Sequence, residues 1–217
     1  MLVAERMSSP VITVHPEMPM QDALNLMHQE QVRRFPVVNK RGRLVGIVSE
    51  KDLLDASPSD ATSLSIYEVN YLLSKITVKR IMTRDVITIT EDTPLEDAAR
   101  IMADNKIGGL PIIRDDDLVG IITETDLFKI FLELLGAREP GVRVAVLVPN
   151  IPGELAQLTK AVFNIGGYIV ALGTFLGDSS ENREVCMKVA DVSVEDLIEA
   201  IEPLVEKVVD IRDPQAN

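Results

Sequence analysis

Leu44-Val-Gly-Ile-Val-Ser-Glu-Lys-Asp-Leu53 is written again, 74 residues further on, as Leu118-Val-Gly-Ile-Ile-Thr-Glu-Thr-Asp-Leu127. Upstream the duplication continues with an offset of 75. Met7-Ser-Ser-Pro-Val-Ile-Thr-Val14 stands against Met82-Thr-Arg-Asp-Val-Ile-Thr-Ile89, and Asp22-Ala23 against Asp97-Ala98. Met27 stands against Met102, and Phe35-Pro-Val-Val38 against Leu110-Pro-Ile-Ile113. One residue is lost in the turn between the last two blocks. Features that recur twice in the same order define an internal repeat.

Each copy predicts the same local order. Val86–Thr90 is a short β-branched strand. Thr93-Pro94-Leu95-Glu96 has the form of an N-cap, a first-turn proline and a capping-box acid. A helix follows, with Ala98, Ile101 and Met102 on one apolar face. Two strands, Leu110–Ile113 and Leu118–Thr123, are joined across the polar turn Asp115–Asp117. A second helix starts near Glu124 and turns Leu127, Ile130, Phe131 and Leu134 to one side. The first copy repeats this order, with Lys40–Arg43 as its turn. A unit of about 50 residues cannot bury both of its faces alone. Two copies packed face to face can.

These residues resemble the CBS domain pair, over residues 1–136, through the doubled Leu/Phe-Pro-Val strand followed by Gly-x-x-Ser/Thr-x-x-Asp. The segment Leu64-Ser-Ile-Tyr-Glu-Val-Asn-Tyr-Leu-Leu-Ser-Lys-Ile76 is similar to that of acetoin-utilisation AcuB-like proteins, in which an ACT domain follows the pair. The rest of the chain fits that order. After a linker at Ala137–Gly141 come a strand at Val142–Val148, a turn at Asn150-Ile-Pro-Gly153, and a helix through Leu155, Leu158, Val162 and Phe163. Gly166-Gly167 ends that helix. Strands at Tyr168–Leu176 and Arg183–Val189 flank a polar loop. Ser193-x-x-Asp196 caps a last helix, and Val208–Ile211 closes a βαββαβ unit. With Pro152-Gly-Glu-Leu-Ala156 at its first turn, this unit resembles an ACT domain. The expected fold is therefore α+β / α/β, two CBS repeats packed as a pair and then a ferredoxin-like βαββαβ domain. The expected boundaries are 1–60, 61–136, a linker at 137–141, and 142–217.

Gly120-Ile-Ile-Thr-Glu-Thr-Asp126 carries the chemistry, and two readings of it stay open. Thr123 with Asp126, like Ser49 with Asp52, has the spacing of a capping box. A helix start also offers free N–H groups and a positive dipole end to a phosphate, while the carboxylate one turn in can accept ribose hydroxyls. The resemblance implies that Asp52 and Asp126 hold ribose, with Ser49 and Thr123 beside them. It further implies that Thr13 or Thr88, with Val32-Arg33 or Ile107-Gly108, faces the opposite repeat's aspartate. Apolar strand backbone around Pro36, Pro111 and Ile121 would sandwich adenine. Arg34 is either a solvated arginine or a bidentate fork for phosphate, and the second repeat has Gly108-Gly109 in place of Arg33-Arg34. Gly108-Gly109 itself has the form of a tight turn. In the C-terminal unit, Asn150, Ile151, Pro152, Gly153 and Tyr168 are the candidate effector residues. Asn150 stands where amino-acid-binding ACT members often have Asp, and Tyr168 where they often have Asn. A coupling domain and an effector site are both open.

The bulk numbers narrow the function classes. The chain of 217 residues has a formal net charge of −12, which argues against non-specific binding to nucleic acid or anionic lipid. One cysteine, Cys186, forms no intramolecular disulfide, and two histidines do not build a zinc site. No apolar run reaches the roughly 18 residues of a membrane span, and residues 1–20 lack a signal pattern. We expect a cytoplasmic, non-enzymatic sensor of an adenine nucleotide or S-adenosylmethionine, at least a homodimer, with no catalytic cofactor or metal. A scaffold with empty clefts and an amino-acid sensor acting through the ACT unit are the alternatives.

Overall fold

The helix that opens each repeat leaves its last turn through a left-handed residue, Gln31 or Lys106, both at φ 54°. That exit aims the next residues at the junction of the two repeats. The computed structural model describes residues 1–56 and 75–213. The segment Leu64–Ile76 therefore lies almost wholly outside the described residues, as does the expected boundary at 60/61. Compactness divides the chain into two units, Met1–Leu127 and Phe128–Asn217.

In the first unit the order is α1 (Met20–Glu30), β1 (Arg34–Val38), β2 (Leu44–Ser49) and α2 (Glu50–Asp55). Then come α3 (Val78–Ile81), α4 (Leu95–Asn105), β3 (Gly109–Arg114), β4 (Asp117–Thr123) and α5 (Glu124–Leu134). β1 pairs antiparallel with β2, and β3 with β4, both with a register shift late in the ladder. α4 starts one residue later than the Thr93-Pro94 pattern implies. Pro94 is extended at ψ 144° and caps the helix through its carbonyl, while the Thr93 hydroxyl accepts from the Thr90 N–H.

The repeats are interlocked. The leading segment of each crosses to the other's second strand, with Ser8 bridged to Ile121 and Thr83 to Ile47, each pair exchanging both backbone bonds. The crossing needs a glycine at the crossed strand. A Cβ on Gly46 would stand 2.6 Å from Met82 Sδ and 2.9 Å from the Thr83 carbonyl oxygen, and one on Gly120 would stand 2.4 Å from Met7 Sδ. Val78, at the start of the second repeat, is fully buried in the first repeat's core with Met27, Phe35 and Leu53. In return Val3, buried at 0% exposure, donates to the Thr93 carbonyl of the second repeat. The first repeat's core is thus completed by a residue of the second.

In the second unit β5 (Val142–Pro149), α6 (Glu154–Asn164), β6 (Tyr168–Leu176), β7 (Asn182–Ala190), α7 (Val194–Ile201) and β8 (Lys207–Arg212) follow in that order. The sheet runs β6-β7-β5-β8, with every pair antiparallel. This is the expected βαββαβ order, with the first and third strands central. One face carries a core of Val144, Val146, Leu158, Val162, Met187, Leu197 and Ile201. Ser193 caps α7 by accepting from the Asp196 N–H, as its spacing predicts.

The residue just before the expected linker is fixed. Gly136 is buried at φ +56°, a left-handed conformation that disfavours a side chain. Its carbonyl accepts from Lys188 Nζ at 2.9 Å, and Lys188 is only 7% exposed. The last part of α5 thus belongs to the C-terminal unit, because this bond holds the residues after it onto β7. Lys188→Ala deprives a buried carbonyl of its donor and removes a packed stem, so chemical denaturation should show a loss of about 1–3 kcal/mol. Lys188→Met should recover only the packing part. An unchanged midpoint in Lys188→Ala would show that the bond does not hold this segment.

Candidate functional site

The β1–β2 hairpin ends by delivering Ser49 to the start of α2. There the Ser49 N–H and hydroxyl both donate to Asp52 Oδ2, at 2.9 and 2.6 Å, and the Asp52 N–H returns a bond to Ser49 Oγ. Thr123 and Asp126 repeat this at the start of α5, at 2.9 and 2.7 Å to Oδ2. The capping box is therefore complete in the first repeat, where it engages one carboxylate oxygen of Asp52, and its carboxylate half forms in the second. Capping and ligand binding are compatible on the same side chain.

Around Asp52 lies a cleft of about 580 Å³, within the range of small-molecule sites. The first repeat contributes Arg33, Arg34, Ile47 and Ser49–Asp52. The second contributes Thr83, Asp85–Ile87 and Lys106–Gly109. Asp52 and Ile107-Gly108 of the opposite repeat thus line one cleft. Ile87, 38% exposed, offers an apolar surface inside the cleft. Four cationic side chains (Arg33, Arg34, Lys51, Lys106) face three carboxylates (Glu50, Asp52, Asp85), whereas the chain as a whole has 22 basic and 34 acidic residues. The cleft is richer in cations than the chain as a whole, which favours an anionic group there.

Other expected residues lie elsewhere. Thr88 lines a separate recess with Arg84 and Val86, and Thr13 lines another of about 510 Å³ with Met7 and Leu118. The crossing decides this: the backbone of the leading segment bonds to the other repeat at Thr83 and Ser8, so the residues nearest that bond enter the cleft. Thr83, Asp85 and Ile87 are among the cleft residues that the sequence reading did not name. Their signal was the repeated methionine (Met7, Met82) just before them, opposite a repeated glycine. Val32 packs against the first repeat's core. Pro36 and Pro111 are buried within their strands, their carbonyls accepting from Val14 and Ile89. Ile121, buried at 8%, is engaged by Ser8.

Gly108 is a bend that leads directly into β3, which starts at Gly109, so the glycine pair is the entry to a strand. The glycines make room for Arg34, whose Nη2 would stand 1.7 Å from a Cβ on Gly108. Arg34 reaches across to Glu124 Oε2 at 3.4 Å.

In the C-terminal unit the five candidate residues do not converge. Pro149 pairs with Asn182 at one end of β7, while Tyr168 pairs with Ala190 at the other. Tyr168 is thus a strand length, roughly 25 Å, from the Asn150–Gly153 turn. Its place after the glycines returns the chain to the far edge of the sheet. Asn150 stitches its own loop, donating to Glu181 O at 2.7 Å from its backbone and to Ser180 O at 3.1 Å from its side chain. Gly153, at φ +104°, provides the left-handed start of α6, and Ile151 and Pro152 are exposed beside it.

Burial pushes the Cys186 thiol up, and its hydrogen bond to Glu184 adds to this, so at neutral pH it is protonated and no nucleophile. Among the described residues no group of His, Cys, Asp and Glu could hold a metal ion. None of their helices is long and apolar enough to cross a membrane.

Known proteins share this arrangement. A crystal structure of a protein assigned to acetoin utilization (AcuB) from Vibrio cholerae is 32% identical, with a TM-score of 0.53, over 64% of this chain and 96% of that one. The CBS domain pair of protein MJ0100, solved in complex with 5′-methylthioadenosine and S-adenosyl-L-methionine, is 30% identical, with a TM-score of 0.52, over 64% and 98%. L-aspartate semialdehyde sulfurtransferase of Methanocaldococcus jannaschii is 31% identical over 131 residues, which span 60% of this chain but only 23% of that enzyme. The CBS domain pattern itself matches residues 3–59 and 78–133, one copy on each of the interlocked repeats. The chain belongs to the CBS domain family and carries a tandem CBS pair.

Proposed function

We propose that this chain is a regulatory protein that senses an adenosine-containing ligand in the cleft around Asp52. The observation that carries this reading is the convergence of Ser49 and Asp52 with Ile87, Ile107 and Gly108 of the other repeat in one cleft of ligand size. The Asp52 carboxylate accepts ribose hydroxyls, Ile87 and Ile107 flank the base, and the cationic rim meets phosphate or another anionic group. The bound 5′-methylthioadenosine and S-adenosyl-L-methionine of the MJ0100 pair support an adenosine moiety here. By the repeat, Thr123 and Asp126 are the equivalents of Ser49 and Asp52, and a second ligand site is placed on them in this proposal.

The C-terminal unit acts as an ACT-type coupling domain in this proposal, and residues 142–217 form it. The commitment of Asn150 to its own loop favours coupling over amino-acid capture. α5 starts at the Thr123–Asp126 cap in the first unit and ends in the second, so it is the covalent route between them. Exposed Phe163, Tyr168 and Leu176, at 77%, 67% and 83%, support a homodimer formed by a second copy.

Calorimetric titration of the whole chain with AMP, ADP, ATP, S-adenosylmethionine and 5′-methylthioadenosine tests the reading. At least one is expected to bind saturably. If none binds, the protein is an interaction scaffold and the sensing role is lost.

A further inference from the structure

Arg34 belongs to β1 of the first repeat, but its guanidinium ends in the second. Nη2 stands 3.4 Å from Glu124 Oε2, over the bare backbone of Gly108 and Gly109. The repeats differ here. The first brings two arginines and the second brings the glycines that make room for one of them. Arg34 also lines the Asp52 cleft. Glu124 is the first residue of α5, directly after Thr123 of the second repeat's cap. One guanidinium therefore stands between the ligand space of one repeat and a carboxylate of the other.

We propose that Glu124 is the resident counter-ion of Arg34, which a phosphate must displace. Glu124 thereby sets how strongly the Asp52 cleft prefers phosphorylated over unphosphorylated ligands. This rests on the cleft assignment made under Proposed function. The resident pair is weak: a single long contact, with the Glu124 side chain 57% exposed and that of Arg34 25% exposed. A phosphate carries more charge than a carboxylate and offers oxygens for a bidentate contact, so exchange favours it. Arg33, Lys51 and Lys106 line the same cleft and draw the anion in. An unphosphorylated adenosine makes no demand on Arg34 and leaves the pair intact.

The test measures AMP and adenosine binding by calorimetry on wild type, Glu124→Gln, Arg34→Ala and the double variant. Glu124→Gln should tighten AMP about two- to fivefold, the size of a lost surface pair, and leave adenosine unchanged. The gain should vanish when Arg34 is already alanine. Equal changes for AMP and adenosine, or an AMP gain that persists without Arg34, would overturn the proposal. A second measurement uses inorganic phosphate alone and follows the Arg34 side-chain nitrogen by NMR. Phosphate should shift that resonance, at lower concentration in Glu124→Gln than in wild type. A resonance that phosphate never moves also overturns the proposal. If neither adenosine nor AMP binds while phosphate still shifts Arg34, the nucleotide reading fails and the ion exchange stands.

Discussion

Asp52→Ala should weaken binding of the adenosine ligand by about 10- to 150-fold. Hydrogen bonds from ribose hydroxyls to a carboxylate are charge-assisted and contribute roughly 1.5–3 kcal/mol, and each 1.4 kcal/mol is a factor of about ten. Asp52 also closes the capping box on Ser49, so the variant loses a cap interaction too. That loss costs only about 1 kcal/mol of stability, and the protein should remain folded. Calorimetry together with a thermal melt separates the two effects. Asp126→Ala is the companion measurement, since the same box closes on Thr123. If Asp126→Ala removes binding and Asp52→Ala does not, the ligand occupies the second repeat's cleft. If neither changes affinity, no carboxylate holds ribose.

The second large effect is expected at a residue that touches no ligand. Gly46→Val places a branched side chain where a Cβ already meets Met82 Sδ at 2.6 Å and the Thr83 carbonyl oxygen at 2.9 Å. The Met82 side chain can swing away, but the Thr83 backbone cannot move without breaking its two bonds to Ile47, at 2.9 Å each. Overpacking of this kind costs about 1–3 kcal/mol, and loss of the ladder bonds adds to it. Binding should fall as well, because Thr83 and Asp85 line the cleft and are carried by the displaced segment. Gly108→Ala is the contrast. Its nearest obstacles are the flexible ends of Arg34 and Glu124, so stability should change much less. Denaturation midpoints for the two variants check the ranking. Equal losses would mean that the crossing segment does not discriminate between backbone and side-chain obstruction.

Much of this architecture was legible in the residues. The duplication from Met7 to Leu53 and from Met82 to Leu127 announces two copies of one unit. The apolar runs Leu110–Ile113 and Leu118–Thr123, joined across the polar turn Asp115–Asp117, read as two strands, and their pairing is observed. The Ser49–Asp52 and Thr123–Asp126 spacings predict the side-chain bonds that form at each helix start. The C-terminal βαββαβ order follows from its periodicities and turn residues. All of these are local properties: hydrogen-bond reach over one turn of helix, side-chain direction along a strand, and the conformational freedom of glycine.

What the residues did not disclose is long-range. Thr13 and Thr88 share a pattern with their neighbours, yet it is Thr83 and Asp85–Ile87 that line the cleft around Asp52, because the leading segment is bonded to the other repeat at Ile47. Gly46 and Gly120 look like ordinary strand glycines until Met82 and Met7 are seen lying on them. Gly108-Gly109 has the composition of a turn and is instead the space taken by Arg34. Tyr168 follows two glycines as a binding residue would, but β6 starts at the opposite end of the sheet from Asn150. The sequence by itself determined the repeat, its strands and helices, and the pairing of each cap with its aspartate, since those depend on neighbours a few residues apart. Only the tertiary structure decided which side chains share the cleft. That choice depends on how one repeat's backbone passes over the other, and no spacing within a single repeat records it.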